Sequence, residues 1–237
     1  YDRFTAAGGA QFAFIETIQN RAPYSSERNY YQDFTDGSFT TGTANILGNY
    51  FGGVKETMFY LSNLLGRLDD LDEPVIVVMY GDTKPDLGSE VYGELGLKVQ
   101  SGSPAELRFR YTSDYLIWGN SKARELTGPL SGEGPELSVN FLMSEVFDIC
   151  GWKGPAFMQA QTELRKTVPV VLSRKLYYEY TEPQVTQDDL EWDFDQILET
   201  AGGIPGYIPA GELSLEAQSR LYNHLYIEYY WQESFSY

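Results

Sequence analysis

Two reactive residue types are nearly absent from this sequence: among its 237 residues, Cys150 is the single cysteine and His224 the single histidine. One cysteine cannot form a disulfide within the chain, which excludes a small scaffold held together by disulfides. One histidine provides no pair of imidazoles for a histidine-based zinc site, so we predict neither a metal site nor a cofactor. We expect Cys150 to be a small buried apolar residue. His224 lies one helical turn from both Arg220 and Glu228, and this polar flank predicts an exposed histidine.

Basic residues are also scarce, since 17 lysines and arginines face 34 aspartates and glutamates and the formal charge is −17. Such a charge repels phosphate backbones and anionic lipid headgroups, which excludes sequence-independent binding to nucleic acids and argues against docking on a membrane. No apolar run approaches the roughly 20 residues that span a bilayer. No Walker loop and no dinucleotide-binding glycine motif follows a predicted strand, so nucleotide binding has no support.

Apolar residues at helical spacing predict three main helices, near residues 53–68, 187–201 and 214–231. In the first helix one apolar stripe is formed by Val54, Met58, Leu61, Leu65 and Leu68. A shorter helix is predicted over 156–166. The stretch 137–150 fits a strand in its first half and a helix in its second, and both interpretations stay open.

Four stretches have the composition of strands. The apolar run 75–80 predicts a strand that is buried on both faces. Apolar residues alternate with polar ones in 91–99 and in 105–112, on either side of a Gly/Pro turn, which predicts a β-hairpin. A fourth strand is predicted over 170–180. Together these elements predict an α+β fold in which a mostly antiparallel sheet packs against helices.

The N-terminal part of the sequence has a different composition from the rest. Residues 1–42 are polar, aromatic and rich in Gly, Ser and Thr. We assign them to an N-terminal arm or cap, and residues 43–237 to a single α+β domain. Within the arm, the spacing of Phe12, Ile15 and Ile18 predicts a short helix.

The strand predicted over 75–80 runs directly into Gly81, Asp82 and Thr83. Many enzymes place a catalytic acid or hydroxyl where a buried strand reaches the surface. If the chain is an enzyme, Asp82 and Thr83 are therefore the first catalytic candidates. The same composition is typical of a turn, and we favour that interpretation.

The predicted helix 187–201 is strongly acidic. Its outer face carries like charges four residues apart, each such pair costing roughly 0.2–0.5 kcal/mol in an isolated helix. We interpret this face as solvated surface or as a docking surface for a basic partner, formed by Asp188, Glu191, Asp195 and Glu199.

Tyrosine is abundant, with 19 residues concentrated in "RNYYQDF" (28–34), "KLYYEYTE" (175–182) and the last 14 residues. Tyrosine combines a large apolar ring with a polar tip and is favoured at interfaces. The C-terminal helix has more aromatic residues than one core-facing stripe can use. We therefore predict a protein interface formed by Tyr226, Tyr229, Tyr230, Trp231, Phe235 and Tyr237.

Two functions compete at this point. The acidic surface, the aromatic-rich ends and the lack of a catalytic signature favour a non-enzymatic structural or assembly subunit, such as a component of a virus-like particle, a tail or a surface assembly. Its partners would be other protein subunits, in a homo- or hetero-oligomer. The alternative is a carbohydrate-active protein, either a glycan-binding module or a glycoside hydrolase with paired carboxylates. The cellular compartment stays open, with a virion or an extracellular assembly as candidates.

Overall fold

The computed structural model describes residues 9–18, 20–97, 112–172, 176–178 and 207–234, and in the last helix it describes side chains up to Glu228. The chain divides into two compact units, the first formed by residues 1–102 and 110–123 and the second by residues 103–109 and 124–237. Helices accompany small antiparallel sheets, so the predicted α+β class is confirmed. The division into an arm and one domain remains a prediction.

The first unit is built around one long helix and a two-stranded sheet. Its elements are α1 (Thr41–Asp69), β1 (Ile76–Tyr80), α2 (Ser89–Glu94), β2 (Tyr115–Gly119) and the start of α3 (Ser121–Thr127). The strands β1 and β2 pair antiparallel, with Ile76 opposite Gly119 and Tyr80 opposite Tyr115. The strand predicted at 75–80 is confirmed, but its residues are only partly buried because a two-stranded sheet leaves both faces incompletely covered.

Helix α1 is longer than its apolar stripe predicts, since it begins at Thr41 and not near Gly53. Thr40 caps it by accepting a hydrogen bond from the Thr43 N–H, which satisfies one of the free amides of the first turn. The added turns contain Leu47, which packs in a core cluster with Leu87 and Val91. Tertiary packing thus extends the helix through a glycine-containing segment with little intrinsic preference for it.

The predicted strand at 91–99 is wrong in its first part. Residues 89–94 form α2, and Leu95 to Leu97 form the turn that ends it. Val91 points into the core. The Glu94 carboxylate accepts hydrogen bonds from the Thr40 hydroxyl (2.6 Å), the Thr40 N–H (2.9 Å) and the Thr43 hydroxyl (2.7 Å), which lower the Glu94 pKa. The predicted strand 105–112 lies outside the described residues except for Thr112, which is not in a strand. Helix 11–18 is also absent: these residues have no regular secondary structure and are exposed.

Asn120 connects four segments of the first unit from a fully buried position. Its Oδ1 accepts hydrogen bonds from the backbone N–H groups of Val75 and Ala123, both at 2.9 Å. Its Nδ2 donates to three backbone carbonyls at the end of α1 and in the following loop, those of Leu68 (3.1 Å), Leu71 (3.4 Å) and Glu73 (2.8 Å). One side chain therefore replaces the regular hydrogen bonds that these chain ends lack.

The second unit contains helices and a three-stranded sheet. Its elements are a 3₁₀ turn (Val139–Phe141), α4 (Leu142–Ile149), α5 (Ala156–Arg165), β3 (Val170–Leu172), β4 (Leu176–Tyr178), β5 (Tyr207–Pro209), a 3₁₀ turn (Ala210–Glu212) and α6 (Leu215–Ser234). The sheet is antiparallel in the order β3-β4-β5. The short helix and the C-terminal helix are confirmed, and within the stretch 137–150 residues 139–149 are helical. The single strand predicted over 170–180 is in fact two strands, β3 and β4, that pair with each other.

His224 is buried, so the prediction of an exposed histidine is wrong. It is 6% exposed and packs against the rings of Phe141 and Phe157, at centroid distances of 6.2 and 5.7 Å. Burial lowers the pKa of its imidazole, and Glu228 opposes that effect in part. Arg220 and Glu228 do flank His224 on α6, but the imidazole of His224 faces α5, where it packs on Phe157. Cys150 is partly buried, and burial raises the pKa of its thiol.

Arg165 holds a partly buried ion cluster in the second unit. Its guanidinium contacts the Glu145 carboxylate and lies 2.8 Å from Asp148 Oδ2. Its Nε donates to the hydroxyl of Ser144 at 3.2 Å, and that buried hydroxyl donates to the Phe141 carbonyl. The side chains of Arg165 and Glu145 are only 10% and 14% exposed, so this pair is shielded from solvent. The cluster ties α5 to α4 beside the apolar core.

Candidate functional site

A cleft of about 420 Å³ opens on the first unit, where the segment before α1 folds back along that helix. It is lined by Arg21, Tyr24, Ser25, Tyr30, Tyr31 and Asn49, together with a proline. Its surface is more polar than apolar. A volume of this size lies within the range of about 300–1,000 Å³ that is usual for small-ligand sites.

Asn49, on α1, holds one wall of the cleft in place. Its Nδ2 donates to the carbonyls of Ser25 (3.0 Å) and Arg28 (2.7 Å), and its Oδ1 accepts from the Tyr30 N–H at 2.9 Å. These bonds satisfy three backbone groups of a segment that has no regular secondary structure. The helix therefore fixes the position of Tyr30 relative to the rest of the cleft.

Asn29 organises the next turn of the same wall from a buried position. Its Oδ1 accepts hydrogen bonds from the N–H groups of Tyr31 (3.2 Å) and Gln32 (2.8 Å), and its Nδ2 donates to the Asp33 carbonyl at 2.6 Å. Gln32 and Phe34 both have left-handed backbone angles, with φ of 59° and 60°. Such angles are uncommon for residues other than glycine, and here the side chain of Asn29 supports them.

Two glycines of α1 allow this wall to approach the helix closely. A Cβ added at Gly48 would lie 2.5 Å from the Asn29 side chain, and one added at Gly52 would lie 2.0 Å from the Tyr31 ring. Both distances are far inside van der Waals contact. Glycine is therefore required at these positions for packing, although glycine in a helix interior costs about 1 kcal/mol relative to alanine.

We expect Gly52→Ala to destabilise the protein by about 1–3 kcal/mol, because the new methyl group overlaps the Tyr31 ring and forces it off the helix. Gly66→Ala is the matched control in the same helix, since a Cβ at Gly66 meets nothing within 4 Å. That control should gain up to about 1 kcal/mol from helix propensity alone. Urea unfolding of both variants measures the difference; equal stabilities would contradict the close packing of Tyr31 on Gly52.

The three tyrosines of the cleft differ in their surroundings. The Tyr24 hydroxyl donates to the Asn20 carbonyl at 2.5 Å, and burial, followed by the nearby Tyr50 and Tyr92, raises its pKa to about 12. The Tyr31 hydroxyl donates to Glu56 Oε2 at 3.1 Å. Tyr30 is 63% exposed, with the Arg28 guanidinium 4.9 Å from its ring centroid. Tyr30 thus presents a ring to solvent while its backbone is held by the helix.

Arg21 connects this cleft to the predicted catalytic candidate Asp82. Its Nη2 contacts the Glu16 carboxylate and lies 3.9 Å from Asp82 Oδ2, at the end of β1. The Thr83 hydroxyl lies 3.4 Å from Asp82 Oδ1, which accepts its hydrogen bond. The side chains of Arg21, Glu16 and Asp82 are more than half exposed. The sequence pointed to Asp82 and Thr83 but missed Arg21 and Glu16, because only tertiary contacts bring residues so far apart in the chain together.

These carboxylates do not by themselves form a metal site. Throughout the part of the chain that the structure describes, no group of three or more His, Cys, Asp or Glu side chains is arranged to hold a metal ion. A calcium ion takes about six to eight oxygen ligands, whereas Glu16 and Asp82 meet the guanidinium of Arg21. We derive no chemical step through a metal, and the predicted lack of a metal or cofactor remains a prediction.

Most residues of the other predicted sites lie outside the part of the chain whose side chains the structure describes. Tyr226 is 71% exposed on α6, as an interface residue would be, while the side chains of Tyr229, Tyr230, Trp231, Phe235 and Tyr237 lie outside the described residues. The whole acidic face of Asp188, Glu191, Asp195 and Glu199 also lies outside them. Both surfaces remain predictions. Among the described helices, none is long and apolar enough to cross a membrane.

The part of the sequence that contains this cleft is similar to known proteins. The sulfatase family model matches residues 2–151, which include Glu16, Arg21, Asp82 and the cleft. A curated protein of Rhizobium meliloti (strain 1021), named "Putative cyclic beta-1,2-glucan modification protein", is 27% identical over 154 residues. That alignment covers 62% of this chain and 23% of the relative, so the chain spans about a quarter of the relative's length. No solved structure matches the chain.

These findings correct the functional prediction made from composition. A non-enzymatic structural or assembly subunit of a virus-like particle, tail or surface assembly is wrong, because the matched family is one of enzymes and the relative is named for carbohydrate modification. The alternative, a carbohydrate-active protein, is supported better by these findings than the assembly subunit is. Composition misled here because an acidic, aromatic-rich surface is shared by assembly subunits and by proteins that bind sugars.

Proposed function

We propose that this chain, which belongs to the sulfatase family, is part of an enzyme that acts on an anionic ester group carried by a glycan. The observation that carries the proposal is the position of Asp82. It lies within the family match, at the exposed end of β1, beside Arg21 and Glu16 and next to a cleft rich in tyrosine. Sulfate is the ester that the family description names.

Cleavage of such an ester requires a group that removes a proton from the attacking oxygen and a positive charge near the oxyanion. Asp82 accepts a hydrogen bond from the Thr83 hydroxyl, so its carboxylate is placed to take a proton from that hydroxyl or from water in its position. The oxygen that has lost its proton forms a bond to the central atom of the ester, the bond from that atom to the sugar oxygen breaks, and the Asp82 carboxyl gives its proton to the sugar oxygen, which leaves as an alcohol. When water attacks, the other product is the inorganic anion; when Thr83 attacks, the threonyl ester formed first is then hydrolysed by water.

Arg21 is the residue that can bind the negatively charged ester group of the substrate. Both of its carboxylate contacts use Nη2, and a guanidinium has five N–H donors arranged to bind planar or tetrahedral oxyanions. A local cation matters in this chain because the formal charge of −17 repels an anionic substrate at a distance. Glu16, which contacts Arg21, orients the guanidinium.

The glycan part of the proposal is supported by the relative's name and by the cleft. The relative is named for cyclic β-1,2-glucan, and the tyrosine, asparagine and serine side chains of the cleft suit sugar hydroxyls and ring faces. Because this chain covers 23% of that relative, the glycan and the ester are both proposals for it.

We expect Asp82→Asn to lower kcat by about 10²- to 10⁴-fold with a smaller change in KM, because the amide cannot accept the proton. The assay uses the protein that carries these residues, with a sulfated β-1,2-glucan oligosaccharide and 4-nitrophenyl sulfate as substrates and 4-nitrophenyl phosphate as the comparison. Asp72→Asn, an exposed carboxylate just before β1, is the matched control and should leave kcat unchanged. Unchanged turnover in Asp82→Asn, or a wild-type protein that cleaves none of the three esters, would refute the proposal.

A further inference from the structure

Arg21 is one of the lining residues of the cleft on the first unit, and Asp82, which lies next to Arg21, is not. The walls of the cleft are held in place by contacts within the protein. Asn49 and Asn29 make six hydrogen bonds to backbone groups of the wall, and the glycines of α1 let it pack against the helix. A wall ordered in advance lowers the entropy cost of binding.

The chemistry of the lining excludes several ligand classes. The cleft is more polar than apolar, which disfavours a lipid chain. Arg21 is the one cation among its lining residues, and a single guanidinium does not neutralise the several charges of a polyphosphate or a nucleic acid. Aromatic rings with the Ser25 hydroxyl beside them instead match an uncharged sugar, whose ring presents C–H groups on its faces and hydroxyls at its edge.

Resting on the proposed function, we infer that the cleft formed by Arg21, Tyr24, Ser25, Tyr30, Tyr31 and Asn49 binds an uncharged glucose-type unit of the glycan while the esterified part lies toward Arg21 and Asp82. Tyr30 is the residue that stacks on the sugar ring, because it is 63% exposed and its backbone is fixed by Asn49. Arg21 lies between the two parts of the substrate, since it lines the cleft and its Nη2 is 3.9 Å from Asp82 Oδ2.

Calorimetric titration of the protein with sophorose, the disaccharide of β-1,2-linked glucose, and with cyclic β-1,2-glucan tests this inference. We expect both probes to bind, and Tyr30→Ala to weaken binding by about three- to tenfold through the loss of ring stacking. Tyr30→Phe keeps the ring and should bind within about twofold of the wild type. Tyr60→Ala is the matched control, because Tyr60 is 59% exposed on α1 and is not part of the cleft.

The possible outcomes separate this inference from the proposed reaction. Loss of glucan binding in Tyr30→Ala but not in Tyr60→Ala supports the cleft, even if the wild-type protein cleaves no ester and the proposed reaction fails. Ester cleavage whose KM for the glucan substrate is the same in Tyr30→Ala and in the wild type overturns the cleft and leaves the reaction standing. A wild-type protein that binds neither glucan probe at millimolar concentration also overturns the cleft.

Discussion

Asn120→Ala should destabilise the protein by roughly 3–5 kcal/mol, one of the two largest effects we expect from a single substitution. The side chain is fully buried and contacts two backbone N–H groups and three carbonyls. Alanine removes all of these hydrogen bonds together, and the N–H of the buried Val75 loses the side-chain acceptor that it has in the wild type. Each buried polar group that loses its partner costs about 1–3 kcal/mol, reduced where water enters the space.

Urea unfolding followed by circular dichroism measures this loss. Asn63→Ala is the control, because Asn63 is an exposed asparagine on α1 and its replacement should change stability by less than about 0.5 kcal/mol. Asn120→Asp keeps the acceptor but places a carboxylate oxygen against the carbonyls that Nδ2 now serves, so it should be no better tolerated than alanine. A loss below about 1 kcal/mol for Asn120→Ala would show that Asn120 is not the connector of these segments.

Arg165→Met should destabilise the second unit by about 2–4 kcal/mol, because it leaves the Glu145 carboxylate shielded from water without its cation. The methionine keeps much of the arginine's apolar stem, so the loss reports on the charge and its hydrogen bonds. Asp148 adds little to this figure, since it is 45% exposed and water replaces its partner. The Ser144 hydroxyl also loses the N–H of Arg165.

Two further variants separate charge from packing at this position. Lys166→Met is the neighbouring control: Lys166 is 50% exposed and 3.4 Å from Glu163, so its loss should cost less than about 0.5 kcal/mol. The double variant Arg165→Met with Glu145→Met removes both charges and should recover most of the stability. If the double variant is as unstable as Arg165→Met alone in thermal and urea unfolding, a buried unpaired charge is not the cause.

The helices α5 and α6 and the strand β1 could be predicted because each has a local signal in the sequence. Stripes of apolar residues at helical spacing, and one short apolar run, identify elements without knowledge of their neighbours. The predicted strand at 91–99 failed for the same reason. Val91, Leu95 and Leu97 fit alternation, but Val91 and Leu95 also lie four residues apart, and the packing of Val91 on Leu47 favours the helix.

Some residues of the candidate site could also be predicted from the sequence, and others could not. Asp82 could be selected from the sequence because a buried strand ends just before it, and Tyr30 and Tyr31 stand out as paired aromatics. Arg21 and Glu16 carry no pattern of their own, and their relation to Asp82 exists only after the chain folds. The two glycines opposite Asn29 and Tyr31 likewise resemble ordinary flexible residues until the wall of the cleft is seen against the helix.

Local order in this protein thus follows from the sequence alone: the α+β class, the main helices of each unit, the strand that presents Asp82 and the aromatic character of the cleft all have short-range causes. The tertiary structure decided the rest. It buried His224 between two phenylalanines, set Asn120 as a connector of distant segments and brought Arg21 to Asp82. These depend on contacts between residues far apart in the chain, and the free energy of such contacts comes from packing and desolvation, which no local spacing encodes.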